Sequence, residues 1–349
     1  MLAEVDNLRI MSQLLIWPAF ICCTLVILYS GSKLTRYADI IAEKTGLGRL
    51  WIGVILLAFI TSIPELVTGL SSVIIFATPD IAAGDVLGSC VFNMLILAVL
   101  DIFDRSSPLS SRVHQRHTLS ACFGILLLSI VAVNVFLSSS HAITISSLGW
   151  IGLYTPTIIF LYIVAMRLIY YHEKRTLASF IIDKTEELKY ENVSTKELYV
   201  NFTINALLIV IAAIILPEIG KLIAEITGLG ETFVGNIFIA FATSLPEVVV
   251  SIAALKIGAG DMAIGNLFGS NIFNVGILAI DDIFFTKGPI LSYIGSNHIV
   301  SALSAIIMMT IAVIGLTYRA RKKKLIMAWD SIGITAVFVL NLIALFMLK

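Results

Sequence analysis

The 349-residue chain is 58% hydrophobic and only 13% charged, about half the charge of an ordinary soluble domain, so an integral protein of the lipid bilayer is expected. Its 23 basic and 23 acidic residues cancel to a formal net charge of +0, which gives no reason to expect nucleic acid as a partner. Cys22, Cys23, Cys90 and Cys122 lie in apolar stretches with no C-x-x-C pair, so neither a disulfide framework nor a thiolate metal site is expected, and no cofactor is called for.

In chain order, the first apolar run, about residues 14–31, is followed by Lys33 and Arg36 and has no positive cluster before it. That is the polarity of a membrane span, because a signal peptide carries its charge on the other side. A spanning helix needs roughly 20 apolar residues, and ten such segments fall near 13–32, 50–77, 80–104, 117–138, 149–171, 200–226, 231–256, 260–285, 293–317 and 328–348. Between the third and fourth, His114 and His117 share a stretch with Arg112 and Arg116 and read as a solvated loop face. The polar stretch from about His172 to Lys196 divides the spans five and five. The expected organisation is therefore a first half at 1–171, a connector at 172–198 and a second half at 199–349. Alternate loops carry 18 Lys and Arg residues, against Arg9, Lys221, Lys287 and Lys349 on the other side. The positive-inside rule then puts both termini outside and the connector in the cytoplasm, with the plasma membrane the expected location.

The two halves repeat each other. Residues 41–65, IAEKTGLGRLWIGVILLAFITSIPE, match 223–247, IAEITGLGETFVGNIFIAFATSLPE, at 15 of 25 positions. Residues 80–103, DIAAGDVLGSCVFNMLILAVLDIF, match 261–284, DMAIGNLFGSNIFNVGILAIDDIF, at 13 of 24. Five spans separate equivalent positions, so the copies cross the membrane in opposite directions. The expected fold is an all-α membrane protein of ten transmembrane helices in two inverted-topology five-helix repeats, with a binding site at the midplane where the repeats meet.

Each copy places a carboxylate inside an apolar span, Glu65 in TSIPE and Glu247 in TSLPE. An ionisable group there costs about 2.5–3.5 kcal/mol on insertion scales. No Lys or Arg lies between the ends of the second, third, seventh or eighth span to pair with it, so the counter-charge is expected to be a bound cation. Pro64 and Pro246 cannot donate to the carbonyls of Ile60 and Ala242, so each helix should open there. The carbonyls from Ala58 to Thr61 and from Ala240 to Thr243, with the hydroxyls of Thr61, Ser62, Thr243 and Ser244, become candidate ligands. In GDVLGSCVFN and GNLFGSNIFN, Gly84, Gly88, Gly265 and Gly269 allow close helix packing. Ser89 with Asn93, and Ser270 with Asn274, are four apart and share a helix face. Calcium takes six to eight oxygens at about 2.3–2.6 Å. Two bidentate glutamates plus the carbonyls of Thr61 and Thr243 reach six, and no Cys or His is present in these motifs to favour a soft metal.

The paired motifs, T-S-I/L-P-E followed by G-S-x-x-F-N in two inverted copies, resemble the alpha repeats of the calcium/cation antiporter superfamily, and in particular its sodium/calcium exchangers. The resemblance covers all ten spans and implies a secondary antiporter working by alternating access, with Ca2+ and Na+ as its transported ions. It implies a calcium site at Glu65, Glu247 and the Thr61 and Thr243 carbonyls. It also implies sodium ligands at Ala58, Ser62 and Ser89 on one side and Ala240, Ser244 and Ser270 on the other, with Asn93 and Asn274 between. Ile60 and Ala242 stand where the family commonly has Gly. Asn274 stands where potassium-dependent members carry Asp, which argues against potassium cotransport. A proton/calcium antiporter using the same two glutamates is the alternative, although that branch typically carries a G-N-A-x-E type of motif.

Two other readings are weaker. Gly258, Ala259, Gly260 and Asp261 spell the G-x-G-D of intramembrane aspartyl proteases, but no second Asp in a Tyr-Asp pair accompanies them. The repeat mate of Asp261 is Asp80, and a charge in the first turn of a helix explains both. A passive channel usually gathers its carboxylates by oligomerisation, whereas this chain makes its own pair.

Overall fold

In lipid every backbone N–H and C=O must find its partner within the protein, so apolar runs of this length become helices. A computed structural model describes residues 2–45, 57–103, 107–140, 146–178, 195–320, 322–323 and 325–349. Its helices are α1 (Leu2–Thr45), α2 (Leu57–Thr61), α3 (Ile63–Phe76), α4 (Pro79–Phe103), α5 (His117–Ser139) and α6 (Tyr154–Ala178). They are followed by α7 (Thr195–Thr227), α8 (Glu231–Thr243), α9 (Leu245–Lys256), α10 (Gly260–Phe284), α11 (His298–Tyr318) and α12 (Trp329–Met347).

Among the described residues eight helices are long and apolar enough to cross a membrane, or nine when the bent pair α8 and α9 counts as one. The protein is an integral, multi-pass, mostly helical membrane protein. Of the expected second span, residues 50–56 lie outside the described residues and the rest forms α2 and α3. The other spans fall close to their expected places, with three differences. The first helix runs on to Thr45 as one helix with Pro18 inside it. Residues 147–152 form a two-stranded hairpin, β1 (Ser147–Leu148) with β2 (Ile151–Gly152), where a helix was expected to start at 149. Gly149 turns it at φ 66°, a conformation that glycine adopts without steric cost. The expected connector is helical at both ends, since α6 continues to Ala178 and α7 begins at Thr195, and residues 179–194 lie outside the described residues.

The helices α4 and α10 form the centre: their most apolar windows are 72% and 83% buried, against 28% for α6 and for α12. Gly84 and Gly88 of α4 let it meet α8 backbone to backbone, because a Cβ at Gly84 would lie 2.8 Å from the Cα of Gly235. Such contact suits helices in lipid, where van der Waals packing rather than water exclusion holds them together.

Four acidic residues at the ends of these central helices tie the bundle together in matching pairs. Asp80 opens α4 and accepts bonds from His298 Nε2 at 3.0 Å and Gly295 N at 2.6 Å. Its repeat mate Asp261 opens α10 and bonds His117 Nε2 at 2.9 Å and His114 N at 2.8 Å. His117 and His298 stand at the same offset as the two aspartates, so each repeat supplies the histidine for the other's acid. This corrects the solvated-face reading for His117, whose side chain is 1% exposed. At the other ends Asp101 accepts from Leu109 N and Ala328 N and pairs with Lys323 at 2.9 Å. Its mate Asp282 accepts from Ile290 N, Gly152 N, Tyr154 OH and Thr155 Oγ1 at 2.6–2.9 Å. Leu109 and Ile290 each follow a proline at the same offset, so the repeat extends past the two matching blocks.

Candidate cation site

Both glutamates lie at helix breaks. Helix α2 ends at Thr61 and α3 begins at Ile63, with Ser62 between them at φ −91°, ψ 14°. Helix α8 ends at Thr243 and α9 begins at Leu245, with Ser244 at φ −81°, ψ 2°, and the two are bent by 44°. The last regular rungs are Ser62 N to Ala58 O at 3.1 Å and Ser244 N to Ala240 O at 3.0 Å. The ladders resume with Leu66 N to Ser62 O and Val248 N to Ser244 O. Between these rungs Pro64 and Pro246 have no N–H to give to the carbonyls of Ile60 and Ala242. Glu65 and Glu247 sit in the first turn of the second half-helices, where the positive end of the helix dipole favours a carboxylate.

The breaks bring the two repeats into contact reciprocally. Ser62 Oγ donates to Glu247 Oε1 at 3.2 Å, and Ser244 Oγ reaches Glu65 Oε1 at 3.4 Å and Ser89 Oγ at 2.9 Å. Ser270 Oγ lies 3.4 Å from Glu247 Oε1. The threonines cross over in the same way: Thr243 Oγ1 donates to Asp85 Oδ1 at 2.7 Å, and Thr61 Oγ1 to Asn266 Oδ1 at 3.4 Å. Asn93 Nδ2 donates to Asn271 Oδ1 at 2.9 Å. Glu65, Glu247, Ser62, Thr61, Thr243, Ser89, Asn93, Ser270 and Asn274 are all buried, as is Ser244.

The atoms left over define the site. Glu65 Oε2, Glu247 Oε2, Asp85 Oδ2, Asn93 Oδ1 and Asn274 Oδ1 are buried without a hydrogen-bond partner. An orphaned buried polar atom costs about 1–3 kcal/mol, and more when charged, so five of them among residues that face one another call for something to fill the space. Among the described residues no Lys, Arg or His forms an ion pair with Glu65, Glu247 or Asp85. No three acidic, His or Cys side chains there converge into a metal-holding group of their own, so hydroxyl, amide and carbonyl oxygens must complete any coordination shell. Oxygen donors without thiolate or imidazole suit a hard cation.

Asp85 is the residue that the motif reading passed over. It lies in GDVLGS, which was read for its glycines, while the signal was its mismatch with Asn266 in GNLFGS. It makes the pocket one of three carboxylates and breaks the symmetry between repeats. The carbonyls of Ala58 and Ala240 are also less free than expected in this conformation. Each still accepts the serine N–H four residues on, and Thr61 Oγ1 lies 3.2 Å from the first and Thr243 Oγ1 3.3 Å from the second. Asp261, the acid of the G-x-G-D stretch, sits in the first turn of α10 as expected, between two histidines, and is 26% exposed.

Broken helices that face each other inside a many-helix membrane protein, with buried carboxylate and amide oxygens between them, define an ion transporter. The family profile described as "Sodium/calcium exchanger protein" matches residues 15–169 and 197–347, and the chain belongs to that family, whose members are transporters and not enzymes. It is 29% identical over 294 residues to the sodium/calcium exchanger MaX1 of Methanosarcina acetivorans, covering 75% of this chain and 81% of that protein. It is 28% identical over 273 residues to the inner membrane protein YrbG of Escherichia coli K12, covering 76% and 78%. The fold is similar to that of the sodium-calcium exchanger NCX_Mj, with a TM-score of 0.60, 23% identity and coverage of 94% of this chain and 97% of that one.

Proposed function

We propose that the protein exchanges Ca2+ for Na+ by alternating access, at one site built around Glu65 and Glu247. The observation that carries this reading is the set of orphaned carboxylate and amide oxygens at two facing helix breaks, with no basic side chain among them. Calcium is held by the two glutamates and the carbonyls of Thr61 and Thr243. Sodium uses the same carboxylates with Ala58, Ser62 and Ser89 on one side and Ala240, Ser244 and Ser270 on the other, with Asn93 and Asn274 between. The name of MaX1 and the family membership support the choice of ions. The serine hydroxyls favour sodium over protons, because a proton needs no shell of ligands. On this reading binding of the two ions is mutually exclusive. In equilibrium binding, sodium is expected to raise the apparent dissociation constant of calcium without limit as the sodium concentration rises. Ser62→Ala with Ser244→Ala should weaken that competition more than it weakens calcium binding itself. Sodium that leaves calcium affinity unchanged contradicts a shared site.

The architecture that goes with this function is ten helices in two inverted five-helix halves, 1–171 and 199–349, joined by a cytoplasmic connector at 172–198. The chain lies in the plasma membrane with both termini outside. The basic-residue split and the matched breaks at Ser62 and Ser244 support it. In a chain freed of its four cysteines, Ser140→Cys is expected to react with an impermeant maleimide from outside and Ser179→Cys only after permeabilisation. The reverse pattern overturns the orientation and leaves the site untouched.

A further inference from the structure

Where the two central helices α4 and α10 pack against each other, one buried amide has no part in the site described so far. Asn271 is the repeat mate of Cys90, as Asn274 is of Asn93, and all four side chains are buried. Asn271 Nδ2 donates to the carbonyl oxygen of Cys90 at 3.4 Å, and Asn271 Oδ1 accepts from Asn93 Nδ2 at 2.9 Å. This relay runs in one direction only. A backbone carbonyl can accept and not donate, so Asn271 must turn its NH2 to Cys90 and its oxygen to Asn93. Asn93 must then give its own NH2 to Asn271, which leaves its oxygen over, and Asn93 Oδ1 is one of the buried unpartnered atoms of the pocket. In the other repeat the place of Asn271 is taken by a thiol. Cys90 Sγ lies 3.8 Å from the carbonyl oxygen of Asn271, mirroring the reach of Asn271 Nδ2 to Cys90, but it brings no amide oxygen to hold a second amide. Both Nδ2 and Oδ1 of Asn274 are accordingly buried without a partner.

We propose that Asn271 is a positioning residue for sodium: it fixes the Asn93 amide with its oxygen offered to the cation pocket, while Asn274, facing Cys90 instead, is left to turn either end inward. The proposal rests on the reading that places Asn93 beside sodium in a pocket shared with calcium. A cation is attracted by the oxygen of an amide and repelled by its NH2, so an amide already held oxygen-first needs no reorientation when sodium arrives. A partner that orients a metal ligand from behind commonly matters about tenfold or more to affinity. Calcium, held by the two glutamates and the threonine carbonyls, does not depend on which way Asn93 is turned.

The test is the sodium concentration that displaces half of the bound radioactive calcium from the full-length protein in detergent, with calcium affinity measured separately in the absence of sodium. Asn271→Ala is expected to raise that concentration about two- to threefold, an about tenfold loss at one ion spread over the two or three that displace a calcium, and to leave calcium affinity unchanged. A residue that only packs would cost the same whatever stands at position 93. In an Asn93→Asp background both side-chain ends are oxygens and need no orienting, so adding Asn271→Ala should cause no further rise. An equal rise in that background, an unchanged sodium requirement in Asn271→Ala alone, or a matching loss of calcium affinity overturns the proposal. Sodium that fails to displace calcium from the wild type overturns the shared site and the proposal with it, so the two failures are told apart by the wild type. If Asn271→Ala does not fold, Cys90→Asn decides: an amide at that position is placed to hold Asn274 as Asn271 holds Asn93, and the sodium requirement should fall by about two- to threefold. An unchanged requirement in Cys90→Asn overturns the relay.

Discussion

Glu65→Gln and Glu247→Gln are each expected to reduce calcium transport to background while the protein stays folded. Glutamine keeps the volume of the side chain and an oxygen for the crossed contacts with Ser244 and Ser62, so the packing at each break survives. The charge does not. At a calcium-oxygen distance of about 2.4 Å and an effective dielectric of about 20, one carboxylate attracts a divalent ion by on the order of 14 kcal/mol before dehydration is counted. Even a fifth of that amount, at about 1.4 kcal/mol per decade, is a loss of around a hundredfold in affinity. Uptake by purified variants in proteoliposomes reads the effect, with size-exclusion profiles as the check on folding. A neutral variant at either position that transports at near the wild-type rate refutes the site.

Asp85→Asn is expected to change how much charge is moved per calcium. Three carboxylates hold as many sodium ions without surplus charge, whereas one calcium leaves a negative charge behind, so the exchange carries a net current. With Asn at position 85 the pocket has the two glutamates only, and two sodium ions match one calcium. The current per calcium should therefore fall toward zero, the steepness of sodium activation should drop, and the rate should fall by about tenfold for the loss of a charged ligand. The variant should fold, because Thr61 already makes to Asn266 the contact that Thr243 makes to Asp85. Simultaneous recording of current and calcium uptake decides the matter, and an unchanged ratio in Asp85→Asn contradicts a charged role for Asp85.

Much of this arrangement is legible in the sequence because it is written twice. The T-S-x-P-E copies place Ser62 and Ser244 at matching breaks, since a proline removes the same rung in each helix, and they put Glu65 and Glu247 in matching first turns. Eight membrane-length helices are legible from apolar length alone. Single departures from the repeat are harder to read. Asp85 hides within a glycine motif whose packing role is real, and only its Asn266 mate marks it as unusual. The carbonyls of Ala58 and Ala240 keep the N–H of Ser62 and Ser244, because the rung that each proline removes lies two residues further on. His117 sits beside two arginines in sequence, and its burial depends on Asp261, 144 residues away. The hairpin at Ser147–Gly152 is held in part by Asp282 from another helix, so a local reading saw only the apolar run that follows it.

The most direct test of the central claim is calcium uptake into proteoliposomes loaded with sodium and diluted into sodium-free medium, at clamped pH and without potassium. The account predicts rapid uptake that requires the outward sodium gradient, collapses when sodium is equal on both sides and is absent from Glu65→Gln. Uptake driven by a pH gradient alone, with sodium having no effect, contradicts it and makes the chain a proton-coupled calcium antiporter working through the same two glutamates.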